Sequence, residues 1–202
     1  MTEQHFYTTQ LQAGLGLTEE TQGLLGLWQQ GMGTQDLFNT ALDSGEFSNV
    51  TARRLRNIVA ECFAPRYLNP APQPAKWLKV LNHRVSSRAL NQLFFIYTAR
   101  ANLILRDFVT NLYWERYASG YTEISSEDST EFVQRATYDG KTKKLWSETT
   151  IKRLSSYLLS ACVDYHLLQP LTRVARQITP IRIDPCAIVI LAYDLHLQGI
   201  AD

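Results

Sequence analysis

The sequence predicts an all-α fold, a compact globule of several helices, because apolar residues recur along it at helical spacing. Leu55, Ile58 and Cys62, for example, follow an i, i+3, i+7 pattern. A Ser, Thr or Asp precedes most such stretches and a Gly or Pro follows, as is typical of helix starts and ends. Of the 202 residues, 45% are hydrophobic and 11% aromatic. That composition supports a substantial core and excludes a disordered chain.

The N-terminal third predicts three short helices joined by glycine-containing turns. Thr18 and Thr34 each precede an apolar helical period and are placed to cap the first two helices. Ser48 is placed to cap the third, which we expect to end before Pro65. Helix, turn, helix, turn, helix is the layout of a helix-turn-helix unit. Residues 1–68 therefore predict an N-terminal helix-turn-helix-like module.

The middle of the chain, residues 75–120, predicts a central helical core. Three prolines between residues 70 and 74 cannot continue a helix and favour an extended connector before it. Leu93, Phe94 and Leu105 belong to strongly apolar helical periods that follow. We expect these residues to be buried.

The last third, residues 121–202, predicts a winged-helix-like module. Ser125 and Ser126 precede an acidic first turn and a predicted helix, and Ser147 is placed to cap the next helix. Residues 167–168 and 178–183 then favour two short strands around a polar turn, although two prolines interrupt that pattern. Helix, turn, helix and hairpin is the winged-helix order, and a final helix follows the hairpin.

One eight-residue pattern occurs twice, 99 residues apart: residues 48–55 read SNVTARRL and residues 147–154 read SETTIKRL. Each copy places hydroxyls and two adjacent cations in the first turns of a predicted helix. Helix N-termini carry partial positive charge and open N–H donors, so such a start suits a phosphate. The alternative is a pair of capped surface helices whose cations are simply solvated.

Charge is unevenly distributed, although the formal net charge is only +1. Residues 1–52 carry −6, residues 53–106 carry +9, residues 107–140 carry −5 and residues 141–202 carry +3. Such blocks can form basic surfaces on a nearly neutral molecule. They favour an acidic partner, unless the acidic and basic segments pair internally.

Several classes of protein are not supported by the sequence. The three cysteines lie far apart without CxxC spacing, and the first residues show neither the basic nor the apolar region of a signal peptide, so we expect a cytoplasmic protein. The apolar runs are shorter than the roughly 20 residues of a membrane span, so no membrane association is expected. No nucleotide-binding, hydrolase or metal-binding motif occurs. We therefore expect no enzymatic activity, no catalytic residues, no metal, no cofactor and no small-molecule substrate.

The repeated helix starts and the basic loop before the second one predict binding to double-stranded DNA. Contacts to phosphates supply affinity without reading sequence, so we expect little sequence preference. The predicted DNA-binding residues are Ser48, Thr51, Arg53, Arg54, Arg56, Lys141, Lys143, Lys144, Ser147, Thr149, Thr150, Lys152 and Arg153.

Four stretches, in order and spacing, resemble the BrxA family, small core proteins of BREX (bacteriophage exclusion) defence systems. They are residues 11–15 with the following helix of residues 19–30, residues 48–55, residues 105–108, and residues 146–154. The resemblance covers most of the chain. It implies an all-helical, non-enzymatic, DNA-binding accessory factor that works with a BREX methyltransferase, ATPase and other components.

Two other functions remain open from the sequence. The charge blocks could dock partner proteins, which would make the chain a scaffolding subunit for other BREX components. The basic surfaces could also bind RNA. No coiled-coil seam is present, which favours a monomer.

Overall fold

A computed structural model describes residues 6–13 and 17–200 of the chain. The predicted all-α class is confirmed, with one small sheet added. In chain order the elements are a 3-10 turn (Gln10–Ala13), α1 (Thr18–Leu27), α2 (Thr34–Asp43), α3 (Ala52–Asn57), α4 (Gln73–Leu81), α5 (Ser87–Ala101), α6 (Leu103–Phe108), α7 (Trp114–Ala118), β1 (Glu123–Ser125), α8 (Ser126–Tyr138), α9 (Glu148–Asp164), β2 (Leu168–Pro170), β3 (Ala175–Ile178) and α10 (Pro185–Leu197).

The chain forms two compact units, and each is discontinuous in sequence. The helical unit comprises Leu17–Thr98 and Ile181–Asp202, and the sheet unit comprises Met1–Gly16 and Ala99–Pro180. The division falls within α5. The three modules predicted from the sequence follow other boundaries and stay a prediction.

The first two helices of the helical unit begin one residue earlier than predicted. Thr18 and Thr34 are the first residues of α1 and α2, so neither threonine is a cap. At α2 the N–H of Gly33 instead donates to the carboxylate of Asp36 over 3.3 Å. At the other end of α1, the ammonium of Lys79 donates to the carbonyls of residues 25, 26 and 28. A cation in this position satisfies carbonyls that the helix itself leaves without partners.

The third helix does not stop before Pro65, which corrects the predicted end. α3 continues as a π-helical segment, Ile58–Leu68, with Pro65 inside it. Proline lacks a backbone N–H and crowds the preceding turn of an α-helix. The turns around Pro65 are π-helical and therefore wider than those of an α-helix. The segment is held because Phe63 and Tyr67 are buried, with ring centroids 5.1 Å apart. Tyr67 also meets the ring of Phe94 edge-on at 6.0 Å.

The start of α10 is joined to α5 by side-chain hydrogen bonds. Asp184 caps α10 by accepting from the N–H of Cys186 over 2.9 Å, as the sequence predicts. The other carboxylate oxygen accepts from Ser86 over 2.8 Å, and the backbone N–H of Asp184 donates to Gln92 over 2.9 Å. The Ser86 hydrogen bond is the main reason that the pKa of Asp184 lies below its usual value.

The sheet unit contains a three-stranded antiparallel sheet in the order β1-β3-β2. α8 and α9 lie between β1 and β2 in the chain, and β2 and β3 form a hairpin. The hairpin is present, but its strands are not residues 167–168 and 178–183, which corrects the predicted bounds. Pro170 is tolerated because β2 is an edge strand, where a missing N–H breaks no ladder. β1 was not predicted.

Two buried serines hold α8 and α9 close together. Ser129 donates to the carbonyl of Ser155 over 3.0 Å, and the hydroxyl of Ser155 lies 2.8 Å from the carbonyl of Ile151 in its own helix and 3.2 Å from that of Ser129. The exposed fractions of the two serines are 0% and 2%. Small side chains let the two backbones approach, and these hydrogen bonds satisfy hydroxyls that burial would otherwise penalise.

Candidate nucleic-acid interface

α9 begins where the sequence predicts. Ser147 is its N-cap, and its hydroxyl accepts from the N–H of Thr150 over 3.3 Å. The hydroxyl of Thr150 lies 3.0 Å from that of Ser147. Thr149 is exposed on the first turn. The cap positions three hydroxyls around the positive end of a 17-residue helix.

The face of α9 that carries the cations points away from the core. Ile151, Leu154 and Leu158 are buried, as predicted, while Lys152 and Arg153 are exposed. Within residues 6–13 and 17–200, no carboxylate forms an ion pair with Lys152 or Arg153. Their charge is therefore available to an acidic partner.

The three lysines of the loop before α9 have different surroundings. Lys143 and Lys144 are exposed, and among the described residues neither forms an ion pair. Lys141 lies 3.8 Å from the carboxylate of Asp107 and donates to the hydroxyl of Tyr7 over 3.3 Å. Lys141 thus stabilises the local structure, and its predicted DNA contact stays a prediction.

Tyr7 fixes the N-terminal segment beside this loop. Its N–H donates to the carbonyl of Lys141 over 2.8 Å, and its hydroxyl donates to Asp107 over 2.5 Å. Burial, followed by the hydrogen bond to Asp107, raises the pKa of Tyr7 well above its ordinary value. The N-terminal segment therefore has a defined position beside the lysine loop, although Tyr7 and Lys141 are more than 130 residues apart in sequence.

A cleft of about 840 Å³ lies between the N-terminal segment, the lysine loop and the first turn of α9. Its lining includes Phe6, Thr8, Arg100, Lys143, Lys144 and Trp146. No carboxylate is among the described residues that line it. Local sequence patterns do not predict this cleft, and the one local signal is a tryptophan, Trp146, between the lysines and the helix cap.

The first copy of the repeated pattern, in the helical unit, does not have the structure of the second. Thr51 is the N-cap of α3 and accepts from the N–H of Arg54 over 3.3 Å. Ser48 lies in the preceding turn, where its N–H donates to the carbonyl of Gly45, so the predicted Ser48 cap is wrong. The turn is held because Phe47 is buried, and α3 therefore begins three residues later than the alignment with α9 requires.

The cations of α3 are exposed, but one of them packs on an aromatic ring. Arg53, Arg54 and Arg56 all lie on the outward face, as predicted, while Leu55 is buried. The guanidinium of Arg56 lies over the ring of Phe38, 5.0 Å from its centroid. A cation–π contact of this kind stabilises the packing of the last turn of α3 against α2 and leaves most of the guanidinium edge accessible.

Residues 6–13 and 17–200 contain neither a cluster suited to a metal ion nor a helix suited to a membrane. Within that part of the chain, no group of three or more His, Cys, Asp or Glu side chains is arranged to hold a metal ion. None of the described helices combines the length and apolarity needed to cross a bilayer.

Comparison with known proteins identifies the family. The BrxA family model matches residues 5–193. No curated protein sequence matches. Among solved structures, the crystal structure of an uncharacterized protein from Magnetospirillum magneticum has the same fold, with a TM-score of 0.73, 14% identity, and coverage of 96% of this chain and 95% of that chain. Because the family model spans nearly the whole sequence, the chain belongs to the BrxA family and has a role in BREX phage defence.

Proposed function

We propose that the protein is a non-enzymatic accessory factor of its BREX system that binds double-stranded DNA, mainly through the phosphate backbone. The observation that carries the proposal is the outward face of α9. Lys152 and Arg153 are exposed there without ion-pair partners among the described residues, beside the capped, positive end of the helix. Phosphate oxygens satisfy both the charge and the open N–H donors of such a helix start.

The order of elements in the sheet unit supports this proposal. Strand, helix, helix, hairpin, with β3 between β1 and β2, is the order of a winged helix. In that comparison α9 takes the place of the recognition helix. The turn between β2 and β3 exposes Arg173, which takes the place of a wing cation.

In the helical unit, the exposed arginines of α3 form a second candidate contact. Arg53 and Arg54 occupy the first turn after the Thr51 cap. We treat this surface separately, because α3 is short and its start differs from that of α9.

Fluorescence anisotropy of a labelled random-sequence duplex tests the proposal. Wild type should bind, and raising the salt from about 50 to about 200 mM should weaken binding by an order of magnitude or more, as several phosphate contacts require. Lys152→Ala/Arg153→Ala should lower the slope of log affinity against log salt by about 2, one for each lost contact. Lys152→Glu/Arg153→Glu should abolish binding.

A matched control separates a local surface from general charge. Arg84→Glu/Arg135→Glu makes the same change in net charge at exposed positions outside both candidate surfaces and should bind like wild type. Arg53→Glu/Arg54→Glu tests the helical unit independently. Absence of wild-type binding at low salt would refute the proposal, and tighter binding to an RNA duplex of the same sequence would favour RNA instead.

One observation favours the second candidate, a subunit that docks other BREX proteins. α10 exposes an apolar face: Ile188, Val189, Tyr193 and Leu197 are each at least 52% exposed. Exposed apolar patches of this kind are typical of protein-interaction sites. Size-exclusion chromatography with purified BREX methyltransferase or ATPase tests this candidate. Val189→Lys/Tyr193→Lys should abolish co-elution if α10 is the docking face and should leave duplex binding intact.

A further inference from the structure

The cleft of the sheet unit has a cationic side. Lys143 and Lys144 are both exposed, line the cleft and, among the described residues, form no ion pair. The hydroxyl of Thr142, which is buried, donates to the carbonyl of Lys144 over 2.8 Å and so fixes the loop between the two lysines and α9. Thr150, on the first turn of α9, adds a hydroxyl to the same wall.

Two aromatic side chains, Phe6 and Trp146, form an apolar part of the cleft wall. Both are half-buried in the cleft wall. No aromatic ring of the described residues stacks on either of them. Tyr7 lines the same wall, but its hydroxyl is already used by Asp107 and Lys141. The ring faces of Phe6 and Trp146 are therefore available to stack on a planar group of a ligand.

The size and the charge of the cleft select a ligand class. About 840 Å³ lies within the 300–1,000 Å³ that small-ligand sites usually occupy. Cations and hydroxyls without a lining carboxylate select an anion, and an aromatic wall selects a ligand with a flat ring. A nucleotide carries both groups, since every base has a π face that stacks on aromatic side chains.

We propose that this cleft binds a nucleotide, with the base against Trp146 and the phosphate on Lys143, Lys144 and the hydroxyl of Thr150. The nucleotide is either free or part of a single strand, since the recognised chemistry is the same. This site shares the first turn of α9 with the surface assigned to duplex DNA, but its cations are Lys143 and Lys144 instead of Lys152 and Arg153. Nucleotide binding in the cleft does not depend on duplex binding. It assigns to the cleft Lys143 and Lys144, which the sequence predicted as contacts to duplex DNA.

Isothermal titration calorimetry of the full chain with dATP and with a single-stranded pentanucleotide tests the proposal. At least one probe should bind saturably with one site per chain, and the tighter probe identifies the source of the nucleotide. Trp146→Leu should weaken that binding by about tenfold, the size of one lost base stack, and Trp146→Phe should restore part of it. Lys143→Ala/Lys144→Ala should weaken it by at least tenfold and reduce its salt dependence.

The matched control is Arg84→Ala/Arg135→Ala, which removes two exposed cations elsewhere and should bind each probe like wild type. Circular dichroism of each variant establishes that the fold is retained, and the lysine variants change only exposed side chains. The proposal is overturned if neither probe binds, or if binding is indifferent to the lysine and tryptophan substitutions. Because duplex anisotropy is measured separately, its failure and the failure of the cleft are distinguishable.

Discussion

Replacing Tyr7 with phenylalanine removes the hydroxyl that anchors the N-terminal segment. That hydroxyl donates to Asp107 over 2.5 Å and accepts from Lys141 over 3.3 Å. The ring remains, so packing is conserved and the change isolates the hydrogen bonds. We expect Tyr7→Phe to fold and to be less stable than wild type at neutral pH.

The size of the expected loss of stability depends on the partners that the Asp107 carboxylate keeps. Hydrogen bonds to charged groups contribute about 1.5–3 kcal/mol, and the upper end applies when the partner is left buried without a bond. Asp107 retains Arg106, whose Nε lies 3.0 Å away, and Lys141 at 3.8 Å. Its side chain is also 19% exposed, so water replaces part of the loss. We therefore expect Tyr7→Phe to lower the free energy of unfolding by about 1–2 kcal/mol.

Urea denaturation followed by circular dichroism measures the global effect, and hydrogen exchange of the Tyr7 amide measures the local one. A loss of about 1.4 kcal/mol should accelerate that exchange about tenfold. Tyr138→Phe is the matched control, since Tyr138 is 71% exposed and should tolerate the change. If Tyr7→Phe is as stable as Tyr138→Phe and its amide exchanges like that of wild type, the anchoring role is refuted.

The same pair of proteins has a predicted pH dependence. The pKa of Tyr7 is raised above its usual 10.0 in the folded state, chiefly by burial and then by Asp107. A raised pKa contributes stability that is complete below the unfolded pKa and is lost as the pH rises above it. The difference in stability between wild type and Tyr7→Phe should therefore shrink above pH 10.

Three further predictions concern helix starts, the α8–α9 contact and an internal thiol. Ser147→Ala should lower the free energy of unfolding by about 1 kcal/mol through loss of the α9 cap, whereas Ser48→Ala, in a turn, should change it by less than about 0.5 kcal/mol in urea titrations. Ser129→Ala should lower the free energy of unfolding by about 1 kcal/mol, because the hydrogen bond to Ser155 is lost. Ser129→Val should lower it by about 1–3 kcal/mol, because the larger side chain overpacks the α8–α9 contact. If both variants are as stable as wild type in urea titrations, the close approach of the two helices is contradicted. Burial raises the pKa of the Cys162 thiol above its usual 9.0, so wild-type stability should fall above pH 9 by up to about 1.4 kcal/mol per pH unit from this group. A pH series of urea titrations on Cys162→Ala should lack that slope, and an unchanged slope would refute it.

The sequence predicted well the features that depend on neighbouring residues. The Ser147 cap of α9 and the Asp184 cap of α10 could be predicted, because a hydroxyl or carboxylate meets N–H groups only two or three residues away. The start of α8 could be placed after the two serines at 125 and 126, and the structure makes Ser125 its cap. The buried faces of the helices were readable for the same reason, since helical spacing alone places Leu55 and Ile58 on one side.

Features that depend on contacts between residues distant in sequence could not be predicted in this way. Ser48 and Ser147 begin similar patterns, yet only Ser147 is a cap, because burial of Phe47 holds the first pattern in a turn. β1 is three residues long with one buried side chain, Ile124, which is too short for an alternating pattern to be recognised.

The sequence by itself therefore determined the helical class, the local helix starts of α8, α9 and α10, the outward cations and the family to which the chain belongs. Tertiary structure alone decided the discontinuous units, the continuation through Pro65 and the cleft. The cleft is lined by both Phe6 and Trp146, which are 140 positions apart in sequence, and it is held by the hydrogen bonds of Tyr7 to Asp107 and to the lysine loop. Periodicity and capping act over one or two helical turns, whereas contacts of that range are fixed only when the whole core packs.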